Sequence, residues 1–436
     1  MYVVAKFDGA KFSKVAPIDA DKIDFRGISD KLDYAPGEEM TFTFTVDFGG
    51  QPAPKKPYSF RWTRTGDDGV RQTGVCEIAP EKPAVVKTKL DKPGFVRMEA
   101  TLLNSRGKQI DRTKGGKKER VFFDGGAGVE IAKIANAVPE PADFDAFWEK
   151  QKARLKSVPM KYKMEKVSAE GADPEVFAVS VDCAGPRPVT GYLTIPRGAA
   201  EKSLPAHATY HGYGTRVQKA PKGWGGAIRF DVNAHGYDLG KDKAYYDEFF
   251  KNIKSNEKIY AFDPKQNSNP EEAYFNGMVL RLMRSLEFLK SLPQWDGKNL
   301  KVSGGSQGGL QTIWAAALDP DVTEADSSIT WCCDFAGPTI GRLGGWRPEY
   351  VPALNYYDAA NHAKRIKCKT LISRAGLGDY TCPPSGLAAL YNNMKAPKKI
   401  RWVQGSTHGF TPKNPQQWII PVSYTHLRAH ETLRHL

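Results

Sequence analysis

The chain of 436 residues has six cysteines, and no two of them form a CxxC pair. Cys76, Cys183, Cys332, Cys333, Cys368 and Cys382 are too few and too irregularly spaced for a disulfide framework. Without CxxC spacing, a structural zinc site is not expected. No apolar run approaches the ~18 residues of a membrane-crossing helix, so no membrane partner is expected. Tyr2-Val3-Val4-Ala5 is too short for the apolar region of a signal peptide. The net charge is +14, yet the sequence has no basic stripe. Its densest cluster (Lys114, Lys117, Lys118, Arg120) is short, other bases are scattered among acids, and no recognition motif accompanies them. A nucleic-acid partner is therefore not expected.

What is present suits a globular protein of two or three domains. Hydrophobic residues make up 40%, enough for a sizeable core, and 26% charged residues is ordinary. The first part reads as β. Between 40 and 48, Phe42, Phe44, Val46 and Phe48 alternate with Thr41, Thr43, Thr45 and Asp47, the period of a half-buried strand. Tyr58, Phe60 and Trp62 repeat the pattern ahead of a Gly66-Asp67-Asp68-Gly69 turn, and Val96, Met98, Ala100 and Leu102 repeat it again. Strands at this spacing predict an immunoglobulin-like sandwich over 21–125, with Gly125-Gly126-Ala127-Gly128 as its boundary. Beyond it, extended segments (189–195, 206–210, 228–233, 300–303, 329–331, 370–374 and 400–404) alternate with helical ones. The longest helix is expected over 271–292. Such alternation predicts a mostly parallel sheet flanked by helices.

Ser306 sits in Gly304-Gly305-Ser306-Gln307-Gly308, a G-x-S-x-G string that carries little weight alone in a chain with 41 glycines. Its setting sharpens it. The short strand Lys301-Val302-Ser303 precedes it, and a helix-like stretch with Leu310, Ile313 and Trp314 follows. That is the strand–turn–helix of a nucleophile elbow, where small residues let a strained turn present the serine. The bland alternative is a glycine-rich helix start. A serine needs a base, and elbow hydrolases run serine, acid, histidine along the chain. Of the later histidines, His408 lies in Gly405-Ser406-Thr407-His408-Gly409, just past an expected strand, where ligands meet such sheets. His362 looks like a packing residue. Asp379, at the end of the segment 370–374, is the expected acid, and Asp358 is better suited to cap a helix. An oxyanion hole needs two N–H donors: the backbone of Gln307, and of Tyr213 in the loop His211-Gly212-Tyr213-Gly214. His211 suits a structural hydrogen-bonding role.

These pieces resemble the acetyl xylan esterase / cephalosporin C deacetylase family of α/β-hydrolases. The matching strings are HGYG at 211–214, RSLE at 284–287, GGSQGG at 304–309, GLGDYTCPPS at 376–385, and the terminal His408. The resemblance spans 141–421. It implies an α/β-hydrolase fold, here preceded by the all-β sandwich, and removal of O-acetyl groups from xylan or xylooligosaccharides without cofactor or metal. It also supports Ser306, Asp379 and His408 as the catalytic triad, with Tyr213 and Gln307 at the oxyanion hole. Asn233-Ala234-His235-Gly236 departs from the family's usual RGQ segment, and 237–269 is longer, suggesting a lid or rim. The added sandwich resembles that of secreted bacterial variants. It leaves oligomerisation open and implies a secreted or periplasmic protein whose signal peptide is absent from this sequence. Other readings are a feruloyl or general carboxylesterase, a prolyl-oligopeptidase-like peptidase, and a non-catalytic relic. The expected layout is an N-terminal segment 1–20, the sandwich 21–125, a catalytic domain 126–421 and a tail 422–436. The tail, polar and rich in histidine, resembles translated sequencing-adaptor and is expected to be non-native.

Overall fold

The computed structural model describes residues 18–421 apart from 53, 55 and 224, so the tail 422–436 lies outside the described residues, as do residues 1–17. The alternating segments near the start form strands whose apolar residues point one way. Strands β1 (Asp24–Ser29), β3 (Met40–Asp47) and β6 (Ala84–Thr88) make a three-stranded sheet. Strands β2 (Asp33–Tyr34), β10 (Phe122–Val129), β7 (Gly94–Leu103), β4 (Tyr58–Gly66) and β5 (Gln72–Ile78) make a five-stranded one. The strands β8 (Asp111–Lys114) and β9 (Lys117–Arg120) pair separately. The two larger sheets share an apolar interior, in which Phe44 of one meets Phe60 and Phe123 of the other at ring separations of 4.6 and 5.5 Å.

The remainder forms one ten-stranded sheet in the order β11-β12-β13-β15-β14-β16-β17-β18-β19-β20. Its members are β11 (Tyr162–Lys166), β12 (Glu175–Val181), β13 (Val189–Ile195), β14 (Leu204–Tyr210), β15 (Ile228–Val232), β16 (Trp295–Gly305), β17 (Glu324–Ser328), β18 (Lys369–Gly376), β19 (Lys398–Val403) and β20 (Gln417–Pro421). From β15 to β19 every pair is parallel, and the flanking strands are antiparallel. This is the α/β-hydrolase sheet with its helices: α1 (Phe144–Lys156), α2 (Lys243–Asn252), α3 (Pro264–Asn267), α4 (Tyr274–Ser291), α5 (Gln307–Leu318), α6 (Ala359–His362) and α7 (Pro384–Asn393). Among them α4 packs on β12 to β16 and α5 on β14, β16 and β17. Among the described residues no helix is long and apolar enough to cross a membrane.

Two expectations need correction. The strand expected over 329–331 is a loop, because Ile329 turns into positive φ at 42°, and the pairing strand is the preceding β17. The sequence Glu-Ala-Asp-Ser-Ser of β17 carries a single apolar residue, so its hydrophobic pattern is nearly silent. The glycine run 125–128, expected as the boundary of the sandwich, is buried strand, part of β10 and paired along β7. A side chain at Gly125 would start 2.1 Å from Gln404 Oε1, so the run is where another chain segment comes close.

That segment is the end of β19. Gln404 donates to Gly126 O (2.9 Å) and Ser29 Oγ (3.0 Å) and accepts from Gly126 N–H (2.9 Å), so its amide behaves as an extra peptide unit. Gln416 does the same for both backbone groups of Ser29. Phe95 of β7 belongs to the core of the large sheet, with its ring 5.2 Å from that of Trp402. Phe95→Ala should therefore cost about 3–5 kcal/mol. Denaturant unfolding followed by circular dichroism and by tryptophan fluorescence checks this; an unchanged midpoint would show that the contact stabilises nothing.

Candidate active site

The chain must reverse sharply where β16 feeds α5. Ser306 makes that turn with φ 58° and ψ −119°, a sparsely populated conformation whose cost, about 1–3 kcal/mol, has to be met by surrounding contacts. Its N–H donates to Ser328 O (2.9 Å), and its carbonyl accepts from Leu310 N (3.0 Å) and Trp331 N (3.1 Å). Glycine flanks it for lack of room, since a Cβ on Gly308 would lie 2.1 Å from Tyr210 O. The candidate nucleophile is thus held at the carboxyl end of a central parallel strand.

Asp379 and His408 leave β18 and β19, the second and third strands beyond β16 in the sheet. Asp379 is fully buried. Its Oδ1 accepts from Thr381 N and Cys382 N, both at 3.0 Å, and its Oδ2 accepts from His408 Nδ1 at 3.0 Å. A carboxylate accepting at Nδ1 places the ring proton there and leaves Nε2 as the basic nitrogen. The His408 side chain is 34% exposed, and Arg374 donates to its carbonyl at 3.2 Å. Among the described residues neither Ser306 Oγ nor His408 Nε2 has a hydrogen-bond partner. Asp379, Cys382 and His408 also present potential metal-ligand atoms within 4.8 Å of one another. They fit a metal poorly: three donors already occupy the carboxylate, and burial holds the Cys382 thiol well above its usual pKa.

The loop after β14 carries the other expected residues. A Cβ on Gly212 would lie 3.6 Å from Gly305 O and 4.0 Å from Ser306 Cβ, so this loop runs beside the elbow. Among the described residues the backbone N–H groups of Tyr213 and Gln307 donate to nothing. Tyr213 is firmly held. Its ring stacks on Tyr260 at 4.1 Å with 9° between planes, and its hydroxyl donates to Tyr260 O (2.8 Å). The Tyr260 hydroxyl in turn accepts from Gly214 N (2.9 Å) and donates to Gln307 Oε1 (2.8 Å), tying the two expected donors together. Sequence reasoning missed Tyr260, which lies in the long stretch 237–269 and has no motif around it.

The departure at 233–236 has a related role. His235 is fully buried, with Nε2–H donating to Gly214 O (2.9 Å) and Nδ1 accepting from the Tyr274 hydroxyl (2.8 Å). Burial, helped by His211, pushes its pKa down to about 3, so it is a neutral brace for the Tyr213 loop. His211 accepts from Ala234 N at Nε2 (3.2 Å) and so donates from Nδ1 to Gly212 O (2.7 Å), a structural role. The rival acid Asp358 caps α6, accepting from Ala360 N (2.9 Å), and burial with Asp334 nearby pushes its pKa up to about 7. His362 packs edge-on to Phe144 and Trp148 and bonds Tyr356 O (2.9 Å); burial pushes its pKa down to about 3.

Two outcomes follow from these contacts. Gly378→Ala would put a Cβ 1.9 Å from Asp124 O, so the Asp379 loop must move. Esterase kcat should fall at least about tenfold, with far-ultraviolet circular dichroism unchanged; full activity would mean that the loop has slack. The second concerns acid. Below about pH 6.5 an unfolded His362 takes up a proton that the folded one refuses until about pH 3, so its contribution is complete above 6.5 and lost as pH falls. Asp358 titrates in the opposite sense, so the comparison with His362→Gln, which cannot titrate, isolates the imidazole. Between pH 6 and 4 the stability gap should shift toward the variant by up to about 1.4 kcal/mol per pH unit. A constant gap in urea titrations would refute it.

The acetyl xylan esterase (AXE1) family matches residues 129–339 and 347–420. An acetyl esterase, Axe7A, of Xylanibacter ruminicola is 31% identical over 332 residues, covering 71% of this chain and 70% of its own. Among solved structures, an acetyl xylan esterase from Paenibacillus sp. R4 superposes with a TM-score of 0.54 at 26% identity, covering 64% of this chain and 93% of that one. Acetyl xylan esterase 1 from Thermoanaerobacterium sp. JW/SL YS485 gives 0.53 at 23%, over 65% and 93%, a likeness of fold. A serine at an elbow, a buried aspartate bonded to a histidine and this match over most of the chain converge: the chain belongs to the acetyl xylan esterase family and is a carboxylic ester hydrolase of the α/β-hydrolase fold.

Proposed function

We propose that this enzyme removes O-acetyl groups from acetylated carbohydrate, with xylan and xylooligosaccharides as the substrate class, through a Ser306–His408–Asp379 triad. The reading rests on the 3.0 Å bond from His408 Nδ1 to a fully buried Asp379, on loops close in the sheet to the Ser306 elbow. That bond leaves Nε2 free to take the proton of Ser306 as its Oγ attacks the acetyl carbonyl carbon. The oxygen becomes an anion and accepts from the N–H groups of Tyr213 and Gln307. Collapse breaks the bond to the sugar oxygen, which leaves with the proton from His408. Water then repeats the sequence on the acetyl-serine and releases acetate. In this reading the all-β region through the end of β10 is an immunoglobulin-like unit, and the chain beyond it, to 421, the catalytic one.

Triad members act as a unit, so Ser306→Ala or His408→Ala alone should remove about 10⁴–10⁶ of turnover on an aryl acetate, and Asp379→Asn somewhat less. Substantial activity in Ser306→Ala would remove it from the nucleophile's role. A substrate panel of acetylated xylooligosaccharides, feruloyl esters and peptide amides tests the substrate class; preference for either of the last two would overturn it.

A further inference from the structure

Between the two family-matched stretches lies the segment 340–346, Ile-Gly-Arg-Leu-Gly-Gly-Trp. Glycines at 341, 344 and 345 give it little intrinsic rigidity, yet fixed contacts run along it. The Arg342 guanidinium pairs with Asp334 and donates to Ala135 O (2.7 Å). A Cβ on Gly345 would lie 2.5 Å from Thr381 O, so the segment passes directly over the Asp379 loop. Trp331 Nε1 donates to Trp346 O at 2.6 Å. The remaining tie comes from the all-β region: Asp67, in the Gly66-Asp67-Asp68-Gly69 turn, accepts from Leu343 N (2.8 Å) with one oxygen and from Phe95 N (2.8 Å) with the other.

The segment delivers Trp346 to the candidate active site. Its ring stands edge-on to Tyr213 at 4.7 Å, lies 4.7 Å from Phe262 and stacks on Trp331 at 5.5 Å. Tyr213 supplies an expected oxyanion donor, and Trp331 N–H holds the carbonyl of Ser306. Trp331 is fully buried and Tyr213 half-buried, whereas Trp346 is 42% exposed, so this aromatic set opens to solvent through Trp346. A large apolar ring left in water beside the ring of Tyr213, on a segment pinned at several points, suits an apolar ligand face. In a small acetyl ester the acyl group is compact and the rest of the molecule is sugar, whose ring C–H groups form such a face.

We infer that Trp346 is a specificity-determining residue that stacks against a sugar ring of the substrate, held in place by Asp67 of the all-β region. The inference rests on the carbohydrate-esterase reading above. Trp346 acts on the part of the substrate remote from the ester, so its contribution appears as sugar binding that a small aryl acetate does not share.

The test compares acetylated xylotriose with p-nitrophenyl acetate in the full chain. Trp346→Ala should raise KM for the trisaccharide about tenfold with kcat within about twofold, while kcat/KM on the aryl acetate falls less than about threefold. Trp346→Phe, which keeps an aromatic face, should recover most of the KM. Asp67→Ala, which releases Leu343 N–H from a different part of the fold, should give the same selective KM increase. Equal losses on both substrates, or an unchanged trisaccharide KM in Trp346→Ala, would overturn the stacking role. A normal trisaccharide KM in Asp67→Ala would overturn the anchoring role. A wild-type enzyme inactive on acetylated xylotriose but active on the aryl acetate would instead sink the carbohydrate reading itself, and this inference with it.

Discussion

At Gly308 and Gly378 the backbone of a candidate catalytic loop runs so close to a neighbouring carbonyl that no side chain fits between them. The neighbours are Tyr210 O, at the end of β14, and Asp124 O, in β10. Three side chains on three loops must meet within a few tenths of an ångström, and loops held only by flexible side chains would not keep that register. Backbone against backbone has few soft degrees of freedom. The elbow is thereby fixed against the strand that precedes the Tyr213 loop, and the acid loop against the all-β region. The Asp379–His408 bond and the Tyr260 bridge between Gly214 and Gln307 then have only short distances to close.

This makes the all-β region a support for the candidate site as well as a neighbour. Arg97 of β7 is paired with Asp124, and its guanidinium lies 4.4 Å from the ring of Tyr380, the residue after the candidate acid. Gln404 and Gln416 bracket the His408 loop in sequence, and both are bonded to β1 or β10. A region without a candidate catalytic residue thus sets the positions of two loops that carry candidates.

Much of this is readable from the chain alone, for identifiable reasons. Strands β3 and β4 carry alternation because each has one face in the interior and one nearer solvent, whereas β7 alternates only about Arg97 and Glu99 and is buried on both faces at its ends. Ser306, Asp379 and His408 stand out as candidates because each sits in a short local string after an expected strand. Strand β17 does not stand out, since its core contribution is a single alanine between polar residues. The glycine run 125–128 misleads, because glycine serves close approach as well as turns, and only the arrival of Gln404 distinguishes the two. Tyr260 and Trp346 owe their places to partners remote in sequence, and no local pattern announces such a contact. Edge strands β11 and β20 are partly exposed and carry weak periodicity.

The contact between Phe95 and Trp402 has a consequence for how the chain is made. The two-sheet interior is complete once β10 has emerged, but Phe95 and Leu32 belong to the other core. At roughly 5–20 residues per second, Trp402 leaves the ribosome tens of seconds after Phe95. Throughout that interval the nascent all-β region displays an apolar face and the unsatisfied peptide edge of Gly126, both awaiting the last parallel strand. Folding of this enzyme is therefore closed by its C-terminal strands, and chains that stop short of β19 are left with an adhesive surface already formed.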